Sequence, residues 1–384
     1  MPRRPGPVTS STIMSFDRLP VELIQKIVGW LRHNSSVYYE IQESQRYIYN
    51  CLLVSKQIYH AAHSVLYSHV VLSGSLLHVG LGNLELFQQC GASGLAVQSL
   101  AILCIDMDNL ENLCKCLGHF STISSLYLSY IRLGEAGPIT ALGNTFRQAL
   151  SHTNCKILHL DKTDIPLTVV SALQQTGRIV IGSDVDLSSY DIGEGGTDVN
   201  LERMPTVYAC DLAVHHLFES VYFFYLNNFT NLTDLTLQLE SPPFDSETYL
   251  CAGAIAALRN SPKSVKSLRL VSPDSTSTST PFSVPQMASA IARAMPHLTK
   301  LSLCSFLIRS SDVKGLPRSI RSIILEDIIC SAEYVESLLD HIPSIDHFEI
   351  VGYQAIHCST THDILGAIAN LATARGVFCK IAIR

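Results

Sequence analysis

A short unit of the form apolar-x-x-apolar-x-apolar returns along most of the chain, and what separates its copies constrains the fold most. It reads "VQSLAI" from 97, "ISSLYL" from 123, "CKILHL" from 155, "TGRIVI" from 176 and "MPTVYA" from 204. It continues as "LTDLTL" from 232, "VKSLRL" from 265, "LTKLSL" from 298, "IRSIIL" from 320 and "IDHFEI" from 345, and a last strand, "VFCKIAI", begins at 377. Apolar positions two apart are the period of a half-buried strand. In a chain that is 47% hydrophobic such triplets are common, so their order carries the inference. Between them lies helix-patterned sequence: "NLENLCKCLGHF", "ALGNTFRQALSH", "LTVVSALQQT", "LAVHHLFESVYFFYLNN", "ETYLCAGAIAALRNS", "PQMASAIARAMPHL" and "SAEYVESLLDHIP".

Strand, helix, strand at a step of about 20–35 residues is the signature of a leucine-rich-repeat solenoid. Each unit has one apolar face that it cannot bury alone, and stacking the units makes a continuous core. The expected fold is therefore α/β, with about eleven parallel strands, each beside its sequence neighbour, and helices on the other side. A doubly wound sheet would carry a glycine-rich phosphate turn after its first strand, and none is present. Three residues beyond the triplets stand Ile105, Ile131, Thr163, Glu240, Pro273, Phe306, Ile328 and Tyr353. No asparagine ladder can form there, so apolar stacking must replace it. Residues 182–205 form an acidic loop, but Ser189 and Gly195 occupy positions where a calcium loop needs glycine and glutamate. The Ser/Thr-rich tip at 272–281 is expected to be mobile.

Charged residues make up only 16% of the 384, and the formal charge is −6, so no global basic field attracts nucleic acid or anionic lipid. The 12 cysteines are scattered through apolar segments without a C-x-x-C pair, which suits reduced structural thiols rather than disulfides or a metal. The start, "MPRRPGPVTSST", lacks an apolar signal core, so residues 1–15 are expected to be a disordered leader. No apolar run approaches the ~20 residues that span a bilayer. A cytoplasmic or nuclear protein without membrane contact is expected. No H-E-x-x-H, G-x-S-x-G, P-loop or G-x-G-x-x-G occurs. Adjacent His215 and His216 diverge by about 100° on a helix and cannot share a metal. We therefore expect no enzyme, no catalytic residue, no cofactor and no metal.

Ahead of the repeats, "FDRLPVELIQKIVGWL" at Phe16–Leu31 reads as a helix. Pro20 suits its first position, Glu22 suits the positive end of the dipole, and Leu23, Ile24, Ile27, Val28 and Leu31 form one apolar stripe. "YIYNCLLVSKQIYHAAHSVLYSHVVLS" follows, helical until "HVVLS", which reads as a strand. "LPVELIQKIVGWL" with "CLLVSKQIYHAAHSVLY" resembles the F-box motif, and the whole chain resembles fungal F-box proteins with degenerate leucine-rich repeats. It departs from that pattern in the extra stretch Arg32–Arg46 and in Ile58, where an aromatic is common. The resemblance implies an F-box-like helical domain at 16–75 and a repeat domain at 76–384. It also implies a role as substrate receptor in an SCF-type ubiquitin ligase, with a Skp-type adaptor and cullin as partners and an unknown protein as target. Carried over, the adaptor contacts are Leu19, Pro20, Leu23, Ile27, Leu31, Leu52, Val54 and Ser55.

In such a solenoid the outward strand positions line the open side of the sheet. Candidate target-binding residues there are Tyr127, His159, Asp161, Tyr208, Asp234, Arg269, Lys300, Glu326, His347 and Glu349, with Ser125 and Thr236 beside them. Both signs of charge mix with aromatics, and no basic stripe runs along these positions, which favours protein over nucleic acid as ligand. The other reading is a non-catalytic repeat scaffold, whose N-terminal helices merely cap the apolar end of the array.

Overall fold

In the computed structural model of the chain, the described residues are 69–73, 97–103, 123–131, 139–165, 167–182, 203–214, 226–239, 247–272, 286–328, 330–352 and 359–383. Isolated positions add Pro20, Glu22, Leu23, Asn50, Ile58, Cys114, Leu117, Val185 and Leu187. The chain divides into two compact units, one of Met1–Val71 and Asn83–Leu100, the other of Leu72–Gly82 and Ala101–Arg384. In the first, Glu22 and Leu23 are helical, and the Leu23 N–H donates to the Pro20 carbonyl at 3.0 Å.

Among the described residues, twelve strands form one sheet whose spatial order is the chain order. They are β1 (His69–Ser73), β2 (Ser99–Leu103), β3 (Ser125–Ser129), β4 (Ile157–Asp161), β5 (Arg178–Ile181) and β6 (Ala209–Val214). The rest are β7 (Asp234–Leu239), β8 (Ser267–Val271), β9 (Lys300–Cys304), β10 (Ser322–Glu326), β11 (His347–Gly352) and β12 (Phe378–Ile383). From β3 to β12 every neighbouring pair is parallel. Between them come α1 (Ile139–Ser151), α2 (Leu167–Val170), α3 (Glu247–Arg259), α4 (Met287–Ala294), α5 (Ala332–His341) and α6 (Ser359–Ala374). The repeated strand–helix order in one parallel sheet is compatible with a solenoid.

The triplet supplies three buried rows. Ile123, Cys155, Val207, Leu232, Val265, Leu298 and Ile320 lead the units and are fully buried. The second row runs Leu126, Leu158, Ile179, Cys210, Leu235, and so on to Phe348. Burial pushes the Cys155 thiol up to about 11 and the Cys210 thiol well above its usual value. Thr176, a hydroxyl in an apolar row, donates to the Cys155 carbonyl at 3.1 Å and so is satisfied. The β6 pairing corrects the sequence reading: Val207, Cys210 and Leu212 form its triplet, not Met204, Val207 and Ala209. The strand extends to Val214, so Leu212–Val214 are not helical as expected.

Three devices recur, two in the main chain and one in a side chain. At the entries of β4–β11 two successive N–H groups converge on one carbonyl of the previous unit. Lys156 and Ile157 bond to Ser124, Gly177 and Arg178 to Lys156, Tyr208 and Ala209 to Gly177, and the series continues to Asp346 and His347 on Arg321. At the exit, Tyr130, Lys162, Ser305 and Asp327 each follow a strand directly and adopt φ of 56°, 48°, 51° and 51°. That left-handed bend, costly for a residue with a Cβ, turns the chain out of the sheet. Ile131, Phe306 and Ile328 follow it and are buried, which is the apolar stacking expected there, while Thr163 at the equivalent place buries a hydroxyl; Ile105, Glu240, Pro273 and Tyr353 lie outside the described residues. Third, Ser264, Ser319 and Ser344 stand just before the leading residue and donate to the carbonyls of Leu232, Leu298 and Ile320 at 2.8, 2.8 and 2.7 Å.

Segment lengths set the connections. The short step from β9 to β10 has room for only a 3₁₀ turn, Val313–Gly315. "LTVVSALQQT" yields one helical turn, α2, because Thr168, Val169 and Val170 are β-branched. Ser331 caps α5 by accepting from the Tyr334 N–H at 3.2 Å. The tip at 272–281 and the His215–His216 pair fall outside the described residues, apart from Ser272.

Candidate functional site

Strand alternation turns the other side chains of β3–β12 away from the helices, in three further rows. The first contains Ser125, Arg178, Asp234, Lys300, His347 and Phe378; the second Tyr127, His159, Asp211, Arg269, Glu349 and Lys380; the third Ser129, Asp161 and Glu326. Nine of the ten residues proposed from sequence stand in these rows. The tenth, Tyr208, is the entry residue of β6 and is 55% exposed. Its ring lies over Gly177, where a Cβ would approach Tyr208 Cε1 to 2.5 Å.

Several of these residues meet. Asp161 accepts from the Ser129 hydroxyl at 3.3 Å and the Tyr127 hydroxyl at 3.5 Å, and the Tyr127 and His159 rings are 6.0 Å apart. Burial first, then the Asp161 charge, raises the Tyr127 pKa; burial lowers that of His159, which keeps it neutral at pH 7. Arg269 reaches across β9 to Glu326 at 2.6 Å, and Ser302 donates to the same carboxylate at 3.0 Å. Glu349 accepts from Lys380 at 2.6 Å, which holds its carboxyl below the usual range, and His347 Nε2 lies 3.6 Å away. Asp234 meets Tyr208 only through the main chain, its N–H donating to the Tyr208 carbonyl at 3.0 Å, while its carboxylate accepts from the Thr233 hydroxyl at 2.7 Å.

Sequence reasoning missed three parts of this surface. Arg178 donates through Nε to Asp211 at 2.8 Å, a pair hidden while β6 was out of register. Lys380 escaped because its strand was read without assigning faces. Phe378, 60% exposed and stacked on His347 at 5.3 Å, would have been found by extending the same alternation to β12.

Of the expected adaptor contacts, Pro20 and Leu23 are described, and both are exposed, Leu23 at 42%. Leu19, Ile27, Leu31, Leu52, Val54 and Ser55 lie outside the described residues. Among the described residues no group of His, Cys, Asp and Glu is arranged to hold a metal ion, and no helix is long and apolar enough to cross a membrane. The open face offers charges, hydroxyls and rings on a rigid backbone, a chemistry suited to binding a protein surface. No protein-family model matches the chain, and no curated protein matches it either.

Proposed function

We propose that the chain is the substrate-recognition subunit of an SCF-type ubiquitin ligase. The helices of residues 16–75 are an F-box that docks a Skp-type adaptor, and leucine-rich repeats present the target to the ligase. The open sheet face carries this reading: one parity of each strand from β3 to β11 is buried, and the other offers aromatics and both charges across ten successive strands, β3–β12. The exposure of Leu23 adds support, because a stripe that served only to cap the array would be buried.

Co-purification tests it. Ile27→Asp places a carboxylate in the middle of the adaptor-facing stripe. Desolvating that charge costs several kcal/mol, which weakens adaptor binding by about a hundredfold or more. The variant should lose adaptor and cullin while its melting temperature stays near wild type. Unchanged adaptor capture overturns the contact assignment. A sharp fall in melting temperature, with no adaptor bound by either protein, points instead to a scaffold whose N-terminal helices are a cap.

A further inference from the structure

The net charge of −6 conceals one strongly positive surface. It lies along the entry edge of β8–β10, where helices end and strands begin. Arg259 closes α3, and Lys263 and Lys266 lead from it into β8. Arg293 closes α4, and Lys300 opens β9. Arg318 and Arg321 lead into β10. All seven are exposed, and among the described residues none is ion-paired. The segments 259–267, 293–300 and 318–322 contain no carboxylate. The nearest acids by register bound the patch: Asp234 beside Ser267 on β7, and Asp346 beside Arg321 ahead of β11.

The spacing comes from the fold. The carbonyls of Lys266, Thr299 and Arg321 occupy successive places in the entry ladder, so these units lie one strand spacing apart, about 4.8 Å. Seven cations therefore crowd an edge only three strands wide. Arg259 and Arg293 are accounted for by the negative ends of their helices. The helix dipole accounts for none of the loop and entry cations, which have no ion-pair partner among the described residues and repel one another.

We propose that this edge docks an acidic segment of a partner protein, a run of Asp and Glu side chains. The inference rests on the reading of the repeats as the target-binding part of a receptor, and it names the chemistry of that target. Charge complementarity selects the partner. The compact width matches a short peptide run better than a nucleic-acid backbone, whose phosphates would need a longer basic track.

The test uses the purified full chain and a fluorescein-labelled decaglutamate peptide, read by anisotropy at 50 and 300 mM salt. The patch variant is Lys263→Glu/Lys300→Glu/Arg321→Glu. Lys156→Glu/Arg203→Glu/Lys314→Glu makes the same charge change at exposed positions elsewhere. Wild type should bind the peptide at low salt and weaken at high salt. The patch variant should bind at least tenfold more weakly, and the control should stay within twofold. If the reversal variant melts early, glutamine at the same three positions must still weaken binding several-fold. Absent binding at 50 mM salt, equal loss in the two triple variants, or tighter binding of a ten-nucleotide single strand each overturns the proposal. Adaptor capture is scored separately. Its loss with peptide binding intact sinks the ligase reading alone, and the converse sinks only the acidic-segment assignment.

Discussion

Phe348 and Glu349 are neighbours on β11, yet they face opposite sides of the sheet and should differ widely in how much truncation costs. Phe348 is fully buried, between Ile323 and Cys379 in register. Phe348→Ala removes a ring from a packed row and leaves a cavity, a change that costs about 3–5 kcal/mol. Glu349→Ala removes contacts to Lys380 and His347 on the solvent side, and Lys380 is itself 55% exposed. Such a pair contributes at most about 1 kcal/mol. Repeat units lean mainly on their neighbours, so the loss should concentrate in β10–β12. Hydrogen exchange read by mass spectrometry resolves it. Amides of β10 and β11 should exchange ~100-fold faster or more in Phe348→Ala, since about 1.4 kcal/mol is a tenfold change. In Glu349→Ala they should change less than ~5-fold. Comparable acceleration in the two variants would refute the division into a packed face and an open one.

Two further outcomes follow from the hydrogen bonds and the charge states. Ser344→Ala breaks the serine tie to the Ile320 carbonyl and should lower stability by about 1 kcal/mol in urea titration, whereas Ser311→Ala, on an exposed turn, should change it little. His159 has its pKa lowered by burial from 6.5, so the unfolded chain takes up the proton first as pH falls. Stability should therefore drop below pH 6.5 down to the folded value, and melting curves of His159→Gln should show a shallower fall over that range; identical profiles would contradict the burial of a neutral ring.

The strand order was legible because apolar spacing and unit length are both written in the chain. The entry of β6 was not. Its second core position is Cys210, and a search for aliphatic residues slides the triplet three places back, to Met204. That slip hid Asp211 and with it the Arg178 pair. Helix α6, "STTHDILGAIANLATA", escaped because threonine, glycine and alanine blur its apolar stripe. The bends at Tyr130, Lys162, Ser305 and Asp327 were invisible for another reason. None is glycine or asparagine, the residues that announce a left-handed turn, and at Tyr130, Ser305 and Asp327 the bend is accompanied by an N–H bond to the next strand, a contact between units that are distant in sequence. On the open face, alternation named the residues, but not that Arg269 crosses β9 to Glu326, because long side chains choose partners by reach and not by row.

The doubled bond at the entries of β4–β11 has a consequence for how such a surface can change. Both donors and the acceptor are main-chain atoms, and residues as different as Ser124, Gly177, Thr233 and Arg321 supply the carbonyl equally well. The grid on which side chains are displayed is therefore indifferent to what is displayed. Substitutions along the outward rows can rewrite the recognition surface one position at a time without disturbing its pitch. A change at Lys300 is a change of lettering on ruled paper, and a partner's specificity can drift while the ruling stays fixed.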